Sequence, residues 1–390
     1  MREPVLVPRM RPYTSTIFAE MTALAIRTGA VNLGQGFPDT DGPPGMLATA
    51  RKAIAEGVNQ YPPGPGTPEL RAAVAEHRRR YGQEFDPDRE VLVTVGATEA
   101  ITAALLALTG PGDEVIVIEP YYDSYAAAVA LSGATRKVVG LREAEDGRFA
   151  LDVPALRAAV GPATRAILIN SPHNPTGTVF TRAELAEVAA LCVEHDLIAV
   201  TDEVYEHLVY DGGEHVPLAT LPGMADRTVT VSSAGKTFNC TGWKIGWVCG
   251  SAELVAAVRA TKQFLTFVGG APFQPAVAHA LRGELPWVGE LRDSLQAKRD
   301  RLAAGLAAAG FAVRPTAGTY FVCADVRPLG FTDGAELCWA LPEKIGVAAV
   351  PVQVFTDHPD RWRHLVRFAF CKQDGVLDEA VRRLSTLGDN

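Results

Sequence analysis

Lys236 stands inside "VSSAGKTFNCTGWKIGW" (231–247), where an amine could either grip a phosphate or form a covalent bond. A nucleotide phosphate loop needs a glycine five positions ahead of its Gly-Lys-Thr, so that the chain can wrap with its amides inward. That position is Thr230. The alternative is imine formation with an aldehyde, for which lysine is the suitable nucleophile. Lys244, in the same stretch, supplies a second cation.

Other residues with chemical potential follow apolar runs. After "VLVTV" (91–95) come Gly96, Ala97 and Thr98, small residues and a hydroxyl at the positive start of a helix, a place where backbone amides can cradle an anion. The same segment reads equally as a plain helix cap with Thr98 as the capping residue. After "EVIVIE" (114–119), Tyr122 of "PYYDSY" can lie against a planar ligand or simply pack on a helix. After "RAILIN" (165–170), "SPHNPTG" forces a turn and leaves Asn174 to offer a donor and an acceptor to a cleft, or to stabilise the turn; His173 beside it is not read as catalytic. After "LIAVTDE" (197–203), Asp202 ends an apolar strand, where a carboxylate without a cationic partner is costly to ionise. Tyr205 lies near it if the chain turns helically, while Glu203 points to the opposite face, so the two acids are not an acid–base pair or metal ligands. Neither HExxH, DxDxDG nor clustered Cys/His supports a metal.

Elements that bring such distant residues together are legible in the pattern. From about residue 70 to 285, short β-type runs alternate with alanine-rich helical stretches, which predicts an α/β fold with a mostly parallel central sheet covered by helices. Ligands bind outside the carboxyl ends of strands in such sheets, so these segments can converge. Six strands are expected, at 91–95, 114–119, 165–170, 197–203, 228–233 and 244–250. An N-terminal arm or small-domain segment (1–45), a large domain (46–285) and a smaller α+β domain (286–390), set off by the amphipathic stretch 287–310, complete the expected organisation.

Composition restricts the partners. A formal charge of −8 and a pI near 5.6 disfavour nucleic acid and anionic membranes, while a few buried cations still suffice for a small anionic ligand. "MREPVLVPRM" lacks the apolar core of a signal peptide, and no run approaches the ~20 apolar residues of a membrane span. A cytoplasmic protein is expected. Six cysteines without CxxC spacing indicate neither a disulfide framework nor a zinc site.

An imine-forming lysine, a second cation, an anion cradle, a stacking aromatic and a strand-end aspartate together meet the needs of pyridoxal 5'-phosphate: an aldehyde, a pyridinium nitrogen, a phenolic oxygen and a phosphate. "NLGQGFPD", "NPTG", "TDEVY", "SAGKTF" and "TGWKIGW", in this order, also resemble the fold-type I, class I/II aminotransferases, in the branch of kynurenine/glutamine and N-succinyldiaminopimelate aminotransferases, over about residues 13–385. The resemblance implies that Lys236 carries the cofactor, Asp202 faces its ring nitrogen and Tyr205 donates to its phenolic oxygen. It further implies that Asn174 is shared between that oxygen and the substrate carboxylate, and that Ala97, Thr98, Ser233 and Lys244 contact the phosphate beneath a stacking Tyr122. Arg367 of "VRFAF" would take the substrate carboxylate with the backbone of Gly36, and Tyr61 would reach a neighbouring subunit's phosphate across a homodimer interface. Phe18 stands where eukaryotic kynurenine enzymes carry tryptophan, and Thr98 replaces an aromatic residue; both departures bear on the donor and not on the cofactor.

The implied activity is ping-pong transfer of an amino group between an L-amino acid and a 2-oxo acid, with kynurenine, glutamine, methionine or N-succinyldiaminopimelate as candidate donors. The rivals are β-elimination on cysteine S-conjugates, which uses the same carbanion, and a cofactor-binding regulatory module, for which no basic winged-helix extension precedes residue 30.

Overall fold

Apolar runs buried on both faces give the molecule a seven-stranded sheet, in the spatial order Val91–Thr94, Gly246–Cys249, Thr228–Ser233, Ile198–Asp202, Thr164–Asn170, Glu114–Glu119, Thr135–Gly140. The computed structural model describes residues 5–14 and 16–389. Six strands run the same way and Gly246–Cys249 runs against its two neighbours. Side chains alternate across each strand, so Val115 and Val117 enter one core with Ile101, Leu105 and Val231, while Ile116 and Ile118 enter the opposite one with Leu185 and Val188. This is the mostly parallel α/β sheet with helices on both faces that the alternating pattern predicts.

The strand Thr135–Gly140 is an addition to the expected six. It lies at the sheet edge with a largely half-exposed "TRKVVG" sequence, so it lacks the continuous apolar run that marks its inner neighbours. One local expectation also changes. The helix after the first sheet strand begins at Gly96 with Val95 as N-cap, so Thr98 lies in its first turn and does not cap it. Gly235-Lys236-Thr237 falls within a single helical turn, Ala234–Thr237, ahead of the "NCTGW" bend.

A second, antiparallel sheet orders Ala312–Val313, Phe321–Asp325, Leu365–Ala369 and Val350–Pro351. Its core includes Leu302, Phe368 and Leu377 together with Met21, Leu24 and Leu33 from the N-terminal segment. Val31–Asn32 pairs in parallel with Val347–Ala348. Glu119, at the end of a central strand and fully buried, accepts from Trp362 Nε1 (2.7 Å) and the Asp357 amide (2.8 Å), tying the two sheets together beside the strand ends.

Glu203 indeed turns away from Asp202. It meets Arg78 at 2.9 Å, and Glu206 meets the same guanidinium at 2.7 Å, all three nearly inaccessible to solvent. Burial alone would raise both carboxyls, but Arg78 holds them below the ordinary range. Removing Arg78 would take the guanidinium from two buried carboxylates, leaving Glu203 with His215 at 3.1 Å and Glu206 with the Ser232 hydroxyl at 2.7 Å, so Arg78→Leu is expected to cost about 3–5 kcal/mol of stability in urea unfolding. A variant as stable as the parent would show that the cluster relaxes or takes up protons freely.

Candidate active site

The carboxyl ends of the parallel strands open on a cavity of about 360 Å³, at the small end of ligand sites. Its walls include Gly96, Ala97, Thr98, Tyr122, Asn174, Asp202, Tyr205, Ser233, Lys236 and Lys244 from the large sheet, and Phe18, Gly36 and Arg367 from the N-terminal segment and small sheet. Of the candidates read from sequence, Tyr61 alone stays away. It is 83% exposed, with its ring edge-on to Phe267 at 5.6 Å.

Lys236 is presented by the helical turn directly after Thr228–Ser233. Its Nζ lies 2.7 Å from the Tyr320 hydroxyl and 3.5 Å from the carbonyl oxygen of Gly36. Burial pushes the amine down to about 8, reinforced by Arg367 and Lys244 and opposed by the Cys371 thiol and Asp202. A neutral amine is therefore accessible near physiological pH, as a nucleophile or base requires. In cofactor-free protein, trace labelling with acetic anhydride is expected to rise with pH to half its maximum at about 8 for Lys236, against about 10.4 for an ordinary lysine. Mass spectrometry of the peptide carrying residue 236 reads this directly, and an ordinary midpoint would contradict control by burial.

Asp202 closes its strand on the cavity. Tyr125 donates to Oδ2 at 2.6 Å and the Val204 amide to Oδ1 at 3.2 Å, while Asn170 Nδ2 donates to its backbone carbonyl at 2.9 Å. Burial raises this carboxyl despite those bonds and Lys236. A protonated ring nitrogen at Oδ would relieve the penalty. Tyr205 follows on the turn after Asp202 and keeps its proton, because burial lifts it far above the ordinary phenol range. Tyr122, whose ring meets Tyr125 edge-on at 5.8 Å, is pushed up to about 12 by burial.

An anion cradle lies at the other end of the cavity. The helix Gly96–Leu108 turns its first amides, unpaired within any helix, toward it. Gly96 adopts φ 75°, and a Cβ there would crowd Lys244 at 3.2 Å from Cε and 3.3 Å from Nζ. Glycine thus lets the cation and the amides share one place. Lys244 precedes a strand, yet it reaches the same rim because that strand is reversed: Gly246 pairs with both Thr94 and Ser233, the ends of its neighbours.

Arg367, 1% exposed, comes from the small sheet. It donates to Asn174 Oδ1 (2.9 Å) and to the carbonyl oxygen of Gly34 (2.9 Å), while its Nε is buried without a partner. Its guanidinium lies 4.0 Å over the Phe321 ring, 5.0 Å from Phe355 and 5.3 Å from Phe18. A Cβ on Gly36 would fall 2.3 Å from the same Phe321 ring, so only glycine brings this backbone onto the site. A cation in an aromatic frame with no carboxylate in bonding contact is suited to a ligand carboxylate.

Tyr125, Asn170, Tyr320 and Phe321 were not singled out from sequence. Tyr125 could have been found from its position one helical turn beyond Tyr122; Tyr320 sits in a strand-like run with nothing to mark its hydroxyl.

The model of the family "Aminotransferase class I and II" matches residues 28–384. A probable N-succinyldiaminopimelate aminotransferase of Mycobacterium tuberculosis is 63% identical, the match covering 98% of each chain. The methionine aminotransferase of Escherichia coli K12 is 39% identical over 96% of each. The solved structure of N-succinyldiaminopimelate aminotransferase from M. tuberculosis superposes with a TM-score of 0.96 at 63% identity, covering 98% of this chain and 100% of that one. With a fold shared end to end and this identity along its length, the chain belongs to the class I and II aminotransferases and is a transaminase.

Proposed function

We propose that this transaminase works with pyridoxal 5'-phosphate attached to Lys236 and takes N-succinyldiaminopimelate as its amino compound. The observation that carries the reading is the convergence of a lowered lysine, an uncompensated aspartate and a carboxylate-free arginine on one small cavity. The bound cofactor supplies the electron sink for the bond broken at the substrate's Cα. The chain's residues do the rest. Asp202 holds a proton at the ring nitrogen, and Tyr205 and Asn174 face the phenolic oxygen. Tyr122 covers one ring face. The first-turn amides of Gly96, Ala97 and Thr98, with Ser233 and Lys244, take the phosphate. Arg367, together with Asn174 and the Gly36 backbone, orients the substrate carboxylate. Lys236, as a free amine, would take the proton from Cα onto its Nζ.

The donor assignment draws on the 63% identity to a probable N-succinyldiaminopimelate aminotransferase, against 39% to the methionine enzyme. Each copy's Tyr61 reaches the site of a second copy in a homodimer, in keeping with the exposed aromatic group of Tyr61, Phe264 and Phe267. All six cysteines are unpaired and buried, in keeping with a reducing, cytoplasmic setting. Borohydride reduction followed by peptide mapping should fix the cofactor on Lys236. Single-turnover rates across N-succinyldiaminopimelate, methionine, glutamine and kynurenine should then rank the first highest. Modification elsewhere would end the cofactor assignment, and a preference for another donor would end the substrate assignment. Pyruvate and ammonia from a cysteine S-conjugate, without amino exchange, would point to the lyase.

A further inference from the structure

Tyr320 Oη stands 2.7 Å from Lys236 Nζ and 2.6 Å from the carbonyl oxygen of Gly36. A phenol carries one hydrogen and a carbonyl oxygen can only accept, so at 2.6 Å Gly36 takes that hydrogen, while the neighbouring Tyr205 hydroxyl, also in hydrogen-bond contact, can donate in its turn. Toward Lys236 the phenol therefore presents lone pairs, and the lysine must donate. A neutral amine has two N–H groups and one lone pair. The Tyr320 oxygen and, at 3.5 Å, the Gly36 carbonyl match the two N–H groups, the Cε bond fills a third corner, and the fourth is left for the lone pair of an amine that lines the cavity.

The phenol is held too firmly to follow the lysine. Tyr320 is 1% exposed, its ring perpendicular to Tyr205 at 5.2 Å and tilted against Phe321 at 4.8 Å. Thr319 before it adopts φ 66°, with its amide on the Leu208 carbonyl at 3.0 Å and its carbonyl oxygen accepting from the Tyr210 hydroxyl. Burial lifts the Tyr320 phenol well above its ordinary range, so it stays a hydroxyl and is no base.

We infer that Tyr320 is a positioning residue for the Lys236 amine: it parks the amine whenever no covalent bond holds it, and by accepting one N–H it keeps the lone pair turned into the cavity where a substrate Cα would lie. The inference rests on the role proposed for Lys236 and adds how an otherwise free four-carbon chain is aimed. The ionisable groups facing this amine are Asp202, Tyr205, Tyr320, Lys244, Arg367 and Cys371; of these, Tyr320 alone is in hydrogen-bond contact with it in the described structure.

Tyr320→Phe tests this, since it keeps the ring between Tyr205 and Phe321 and removes only the hydroxyl; an unchanged circular dichroism spectrum and retained cofactor absorbance establish the fold. Two readouts are needed. In the loaded enzyme, kcat should fall about 10- to 100-fold with KM for the amino donor within about threefold, and the isotope effect on a Cα-deuterated donor should grow, because a misaimed base slows proton transfer and not binding. In the full-length chain freed of cofactor, the midpoint of acetic anhydride labelling at Lys236 should move down by about 0.5 in pH, because the ammonium form loses an acceptor. Both changes together support the assignment. An unchanged kcat, an unchanged labelling midpoint, or a loss confined to KM overturns it. Failure of borohydride to attach the cofactor at Lys236 in the parent enzyme would instead sink the functional reading, whatever the variant does.

Discussion

Lys236→Ala is expected to lower the rate of amino transfer by roughly 10⁴-fold or more, because in the proposed mechanism one side chain carries both the covalent attachment and the proton transfer. No neighbour can replace it. The other amine lining the cavity, Lys244, is exposed and stands beside Gly96. The loss should be of chemistry and not of structure, since taking a buried amine from the cavity wall also removes a desolvation cost. The variant should therefore still bind the cofactor as a free aldehyde. A small external amine such as ethylamine should restore part of the rate, by serving as the missing base in the space the side chain vacates. Wild-type turnover by the variant, measured with 2-oxoglutarate as acceptor, would refute the role given to this lysine; loss without any restoration by amines would limit its role to attachment.

The parts of this site that sequence made legible are those where one residue type has one plausible use at a strand end. Asp202 closing an apolar run, glycine and threonine opening a helix, and a lysine after "VSSAG" each carry a local signal, and the sheet topology gathers them. What sequence left dark depends on register and on packing between sheets. Lys244 precedes its strand and would belong at the far edge of a parallel sheet; only the reversal of Gly246–Cys249 brings it to the cradle. Phe321 opens a strand of the small sheet and Tyr320 directly precedes it, and no local pattern dictates how that sheet is placed over the large one. Tyr125 was passed over for Tyr122 although the two point into the same region from one helix, since nothing in "PYYDSY" says which hydroxyl will meet Asp202. The edge strand Thr135–Gly140 was invisible because a half-exposed strand with Arg136 and Lys137 has no apolar run to betray it.

Placing the arginine on the small sheet has a mechanical consequence. Lys236 and Asp202 belong to the large sheet, whereas Arg367 rides on Leu365–Ala369 and Gly36 on the N-terminal segment packed with it. A substrate held at once by Arg367 and by groups of the large sheet bridges the two bodies. The buried Glu119 contacts to Asp357 and Trp362 hold that seam together on the side of Tyr121, whose amide donates to Phe355, one of the rings framing Arg367. The carboxylate grip proposed for Arg367 would thereby be set by tertiary packing.

That grip predicts the second large effect. Arg367→Lys should lower kcat/KM for amino acids by about 10²-fold, although the charge is kept, because two charge-assisted hydrogen bonds of about 1.5–3 kcal/mol each are replaced at best by one with poorer geometry. In the parent structure Nη1 already orients Asn174 at 2.9 Å and Nη2 the Gly34 carbonyl at 2.9 Å, while Nε is buried with no partner. A lysine, whose donors all sit on one nitrogen, cannot reach Asn174 and Gly34 as Nη1 and Nη2 do and still meet a carboxylate with two bonds, so cofactor and substrate contacts should suffer together. The discriminating measurement compares an amino acid with the amine that lacks its carboxylate, in single turnovers of the aldehyde form. The parent should prefer the amino acid strongly and Arg367→Lys should level the two, chiefly by slowing the amino acid. Equal losses on both compounds would mean that Arg367 supports the fold of the cavity and does not read the carboxylate, and the bidentate assignment would then have to be given up.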